Sequence, residues 1–138
     1  MAANTRLASA VQILCVVAYK GPHGTTSEAV ARSLDTNPVV VRRLLKSMQR
    51  HGLVAVRPGK DGGVRLGRAA DAITLDAVYR AVETDASVFA LRLRGNPNCP
   101  VDARMPGLLG PVFAAADTAI ETTLRPVTLA QLMQEIPG

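Results

Sequence analysis

Tryptophan is absent from this 138-residue chain, and two Tyr and two Phe bring the aromatic share to only 3%. So few rings cannot furnish a sheet surface on which RNA bases stack. Cysteine is almost as scarce. Cys15 and Cys99 are the whole supply, and a structural zinc site takes four ligands. His23 and His51 are the only histidines, and their spacing fits no zinc motif. No run of about 18 apolar residues occurs, so no membrane span is expected. The longest apolar stretch, from Ile13 to Tyr19, gives way to Lys20. The first residues, Met1 to Arg6, lack a signal-peptide pattern with a cleavage site. The expectation is a cytoplasmic protein with reduced thiols. No Ser/His/Asp set or paired-carboxylate spacing stands out, and two distant histidines give acid–base chemistry little support, so an enzyme is not expected.

Apolar residues, by contrast, make up 48% of the chain, enough for a real core. The length suits one ordinary domain, or a small head with a helical extension. The net charge of +5 is unevenly spread. Residues 37–68 carry Arg42, Arg43, Lys46, Arg50, Arg57, Lys60, Arg65 and Arg68 against Asp61 alone. Residues 69–138 carry five Arg against eight acids and are mildly acidic. A local excess of this kind is the footprint of a polyanion binder, or else a solubilising face.

Leu7, Ala10, Val11, Leu14 and Ala18 recur at helical spacing, which predicts a first helix over 5–19. Gly21-Pro22-His23-Gly24 ends it. Thr25 stands three residues before Glu28, the form of a capping box, so a short second helix should begin there. Asn37 and Pro38 then suit the cap and first position of a third helix, which should stop at Gly52. Two helices joined by about four residues, the second basic, form a helix-turn-helix pattern. In the third helix Val41, Leu44, Leu45 and Met48 share one face. Val39, Arg43, Lys46 and Arg50 share another, with Arg42 beside them. Such a helix can lie in the major groove, where Arg forks onto guanine edges and Lys and Arg neutralise phosphates. The alternative is a solvated basic face.

Leu53–Val56 reads as a strand and Val64–Leu66 as its return, with Gly62 and Gly63 supplying the positive φ of a tight hairpin. This is a basic β-wing. Its glycines do not make a phosphate loop, since no helix opens directly after them and no Gly-Lys-Ser/Thr appears. Ile73–Val82 predicts another helix, capped by Thr74. Residues 85–107 read as irregular, with a short strand at Ser87–Leu91. Leu109, Val112, Phe113, Ala116, Ile120 and Leu124 then form one apolar stripe on a long helix, which a two-fold dimer would bury; the alternative is packing on the head of its own chain. Thr128 opens a last short helix.

With helix, turn, basic helix and wing in order, the chain resembles the Rrf2 family of bacterial regulators, the IscR/NsrR/CymR type. The resemblance lies in Leu7–Leu14, Thr26–Leu34, Asn37–Leu45 and His51–Val54. Gly59–Gly63, Leu66-Gly67-Arg68 and Ile73–Val82 carry its strongest part, and Asn98–Val101 and the long helix continue it. It implies a mainly α fold with a small β-wing: a winged helix-turn-helix head over 1–84, then linker, dimerisation helix and C-terminal helix over 85–138. It also implies a homodimeric regulator, generally a repressor, on a palindromic operator in double-stranded DNA. Carried over by position, the DNA surface is Asn37, Val39, Val40, Arg42, Arg43, Lys46, Arg57, Lys60, Asp61, Gly62 and Gly63. Many relatives have an aromatic near Val40 and an acid near Arg42, so operator sequence does not transfer.

Cluster-binding members place three cysteines before the long helix. Here only Cys99 lies there, with Asp102 and Met105 nearby, and one thiolate cannot hold an iron–sulfur cluster. The chain resembles the cluster-free branch, with no cofactor expected. Cys99 reads either as a redox sensor, helped by Arg92, Arg94 and Arg104, or as an inert thiol in a Pro-flanked turn; a small-molecule effector is the other source of signal. Cys15 reads as core. His51 reads as a helix-end residue facing the dipole. The reading from a different class is a winged-helix protein-interaction module that does not use DNA.

Overall fold

A computed structural model describes residues 4–60, 62–83, 87–92 and 94–138. Its contacts divide the chain into Met1–Thr84 with Leu124–Gly138, and Asp85–Thr123. The first unit is the head. It opens with α1 (Arg6–Lys20), followed by a 3-10 turn at Gly21–His23, α2 (Ser27–Leu34) and α3 (Pro38–Arg50). The antiparallel strands β1 (Val54–Arg57) and β2 (Gly63–Leu66) come next, then α4 (Leu75–Val82). The second unit holds α5 (Pro100–Leu124), after which α6 (Leu129–Gln134) rejoins the head. The domain division read from sequence changes here, because the C-terminal helix belongs with the head. Leu129 is buried, its N–H bonds Ile73 O at 2.8 Å, and Leu75 N–H bonds Val127 O at 2.8 Å. Thr128 and Gln131 form a full capping box at its start.

In α3 the core follows the expected stripe, whereas in α1 it is shifted: Ile13 and Val17 are buried with Ala10 and Leu14, and Leu7, Val11 and Ala18 are only partly buried. Ala10, Ile13, Leu14 and Val17 of α1 pack with Val41, Leu44, Leu45 and Met48 of α3. Val30 and Ala31 of α2, Leu53, Val54 and Val64 in and before the wing, and Ile73, Val78, Ala81, Val82 and Leu129 join them. Met48 is fully buried. Met48→Ala should therefore lower stability by about 2–5 kcal/mol, from lost apolar contact and the cavity left behind; the midpoint of a urea titration measures it.

Two local expectations in the head need correction. Thr26, not Thr25, caps α2, accepting from Ala29 N–H at 3.0 Å. Thr25 is drawn off by an antiparallel bridge to Val64, with N–H···O distances of 3.0 and 2.6 Å. In the wing, Arg57 pairs with Gly63, so five residues close the loop rather than a tight turn. Positive φ falls on Gly59 (99°) and Gly63 (146°), not on Gly62. Gly62 is required for another reason: a Cβ there would lie 1.9 Å from the Arg57 carbonyl oxygen. Gly62→Ala should open the loop and speed hydrogen exchange at Val64 N–H at least about tenfold, with little effect on exchange in α1.

In the second unit the long helix starts at Pro100, inside the span expected to be irregular, and contains Pro106 and Pro111. Each proline removes one intrahelical donor, but both are exposed, so water can reach the carbonyls they leave free. Ser87–Leu91 forms no strand among its described residues. The segment is held to α5 instead. Ser87 Oγ and Val88 N–H both donate to Asp117, the latter at 3.0 Å, and Phe89 meets Phe113 with ring centroids 5.5 Å apart. These two hydrogen bonds hold the Asp117 carboxyl below the usual carboxylate range. A group depressed in the folded state stabilises above its unfolded pKa and loses that contribution as pH falls through the folded value. Val88 N–H should thus exchange faster at acid pH relative to other amides, and Asp117→Asn should abolish that acid-side step.

Candidate nucleic-acid interface

The turn before α3 is tightly specified. Asp35 takes a left-handed conformation (φ 49°) and closes α2 through its N–H to Arg32 O, while Thr36 N–H reaches Ala31 O at 3.0 Å. Asn37 Oδ1 then accepts from Val39 N–H at 2.8 Å, and Pro38 occupies the first turn. At the far end Gly52 (φ 74°) turns the chain into β1. His51 Nδ1 lies 3.0 Å from the Ser47 carbonyl oxygen, where a ring N–H satisfies one of the open carbonyls at the helix end. α3 is fixed at both ends by local hydrogen bonds, with its apolar face in the core.

Its other face is open. Val39, Val40, Arg42, Arg43, Lys46 and Arg50 are all exposed. Arg42 approaches Glu28 at 3.8 Å, but both side chains are more than half exposed, and such a pair is weak. Arg50 touches Ser47 Oγ at 3.3 Å. Among the described residues, Arg43 and Lys46 meet no carboxylate. On the wing, Arg57 and Lys60 are exposed and equally without an acidic partner among the described residues. Asp61 lies outside the described residues. Gly62 and Gly63 sit at the closing end of the loop.

Two cations of the basic segment are not open in this way. Arg65 Nε donates to Pro22 O at 2.7 Å, and Arg68 Nη2 donates to His51 O at 2.9 Å. They tie β2 to the turn after α1, and the end of the wing to the end of α3. Sequence counting could not separate them from the rest, because both acceptors are backbone carbonyls brought near by the fold. Sequence reading also missed Asp76. It is buried in α4, with Arg80 at 3.2 Å and Arg125 at 3.9 Å, and its Oδ1 has no hydrogen-bond partner. Nothing in its local sequence distinguishes it from a surface acid.

No residue of α5 is buried. Of its stripe, Val112 is 59% exposed, and Leu109, Phe113, Ala116, Ile120 and Leu124 are partly covered. Both cysteines are free thiols. Cys15 is half-buried, and burial pushes its thiol up from the ordinary value. Beside Cys99, the Asp102 carboxylate already accepts from Asn96 N–H at 3.0 Å and stands 4.0 Å from Arg92.

Comparison with known proteins agrees with this architecture. The model of the Rrf2 family, described as an iron-dependent transcriptional regulator, matches residues 3–135. YwnA of Bacillus subtilis (strain 168), which carries the name of an HTH-type transcriptional regulator, is 35% identical over 133 residues. That alignment covers 96% of this chain and 98% of YwnA. The HTH-type transcriptional regulator IscR of Erwinia tasmaniensis is 37% identical over 98 residues, which is 70% of this chain and 57% of IscR. A crystal structure of a protein described as DNA binding superposes with a TM-score of 0.76 at 32% identity, over 93% of this chain and 98% of that one. CymR (YrzC), the global cysteine regulator of B. subtilis, shares the fold with a TM-score of 0.71 at 22% identity, over 99% of both chains. The winged-helix head with its long C-terminal helix is thus the fold of these regulators. Among the described residues no three His, Cys, Asp or Glu side chains converge, and one loop thiol falls short of a cluster's ligands.

Proposed function

The chain belongs to the Rrf2 family of transcriptional regulators, and on that premise we propose that it binds a palindromic operator in double-stranded DNA as a homodimer and represses from it. The open, unneutralised face of α3 carries this reading. Its apolar back is buried, its ends are pinned, and Arg43 and Lys46 are exposed and meet no carboxylate among the described residues. In this reading Asn37, Val39, Val40, Arg42, Arg43 and Lys46 enter the major groove. Arg57, Lys60, Gly62 and Gly63 lie along the flanking backbone, where loop residues without bulk allow close approach. A dimer joined through α5 presents two such helices to half-sites about one helical turn apart. The relatives are named as regulators, not as enzymes. A dimer seated on a promoter represses by occupying it.

Selection of genomic fragments with purified protein, followed by anisotropy titration of the recovered fragment, tests the reading. Binding should fall steeply with salt, since each phosphate contact contributes about 0.9 to the log–log slope. Recovery of no fragment, together with co-purification of an acidic protein, would favour an interaction module instead.

A further inference from the structure

A cavity of about 370 Å³ opens in the head between α1, the end of α2 and Ile136, which follows α6. Val11, Cys15, Val16, Leu34 and Ile136 give it apolar walls, and Gln12, Ser33, Tyr19 and Lys20 bring polar atoms to it. Among the described residues no acid lines it. Lys20 has no carboxylate partner among the described residues. Size, apolar lining and a single cation are the attributes of a small-ligand site. Burial pushes the Cys15 thiol up from its ordinary value, so it adds no negative charge to this wall.

Its position adds a second point. A smaller cavity of about 150 Å³ shares Gln12 and Leu34 with the first and continues to Asp35, Thr36, Val40 and Val41. Leu34 therefore stands between the larger cavity and the turn that seats α3. That turn includes Asp35, in a left-handed conformation unusual for a residue with a side chain. A body pressed against Leu34 acts on the entry to the basic helix.

We propose that this cavity binds a compact apolar acid, up to three rings or a short alkyl chain carrying one anionic group. The apolar body lies against Val11, Cys15, Val16 and Leu34, and the anion meets Lys20. Occupation shifts Leu34 and with it the turn before α3, which changes affinity for DNA. The binding step stands independently of DNA recognition; only the coupling rests on the reading above.

The probe 8-anilinonaphthalene-1-sulfonate has this chemistry, and its fluorescence reports transfer to an apolar site. In a Cys99→Ser background, saturating dye should slow modification of Cys15 by a neutral thiol reagent at least about tenfold. Lys20→Gln should weaken dye binding about five- to tenfold and flatten its salt dependence. Val16→Trp, which fills the cavity, should abolish binding while circular dichroism stays unchanged. Equal Cys15 reactivity with and without dye, or a dye affinity untouched by Lys20→Gln, would overturn the site even if Val16→Trp fails to fold. So would a dimer dissociated by Val16→Trp, since that outcome assigns the face to a second copy. In a final arm the dye should change the affinity of a recovered DNA fragment at least about threefold. An unchanged affinity with the dye bound would overturn the coupling, whereas absence of any DNA binding would bear on the function instead.

Discussion

Arg43→Ala is expected to weaken binding to a selected operator about tenfold to a hundredfold, the range for losing an Arg contact to a base edge or phosphate. Three features of the molecule set the size of this effect. The guanidinium is exposed and meets no carboxylate among the described residues, so none of its charge is already spent within the head. The helix that carries it is capped at Asn37 and closed at Gly52, so little ordering remains to be done on binding. The proposed dimer would make the contact twice. Arg42→Ala should cost less, because Glu28 at 3.8 Å already shares that charge. Arg65→Ala should behave differently again. Its guanidinium holds the Pro22 carbonyl at 2.7 Å, so the variant should loosen the wing and lower thermal stability, with little change in salt slope. Arg104, exposed on α5, serves as the control, and Arg104→Ala should leave affinity within about twofold. If Arg43→Ala and Arg104→Ala weaken binding equally, the assigned surface is wrong.

The contrast between Arg43 and Arg65 shows what a sequence can and cannot convey. The division of α3 into two faces was legible because it depends only on helical period, and its ends because Asn37-Pro38 and Gly52 act on their immediate neighbours. The fate of Arg65 depends on where Pro22 comes to lie, and that is decided by the fold. The same reason moved the α2 cap by one residue. Local sequence favours Thr25, three residues before Glu28, but Thr25 is opposite Val64 and leaves the cap to Thr26. The glycines of the wing were recognised as necessary, yet which of them takes positive φ follows from the pairing of Arg57 with Gly63. The onset of the long helix at Pro100 is not legible, because Pro106 and Pro111 each remove a donor that an ordinary helix uses. A helix whose proline-bearing positions face water tolerates them. Asp76 is not legible in the sequence, because the burial of a carboxylate that faces Arg80 and Arg125 is a property of packing and not of spacing.

Ile120→Asp is expected to convert the protein to a monomer in sedimentation experiments and to reduce operator affinity by about a hundredfold or more. α5 runs for 25 residues, and none of them is buried. Its stripe at 109, 112, 113, 116, 120 and 124 is apolar throughout, and an apolar stripe of that length is covered by a second helix far more cheaply than by water. A carboxylate placed in the middle of such a contact would be desolvated without a partner, and two-fold symmetry would set it near its own copy. The loss on DNA follows from geometry. In the proposed dimer each head would read one half-site, and joining two heads would make the second contact intramolecular, with an effective concentration that a monomer lacks. Ile120 is absent from the buried core of the head, so the head's unfolding midpoint should hold within a few tenths of a kcal/mol per mole of chain. The discriminating outcome is therefore specific: a folded monomer that still binds a single half-site weakly, with a salt slope about half that of the dimer. If Ile120→Asp remains a dimer with full operator affinity, the stripe is covered in some other way, and the pairing of the two recognition helices must be sought on a different face.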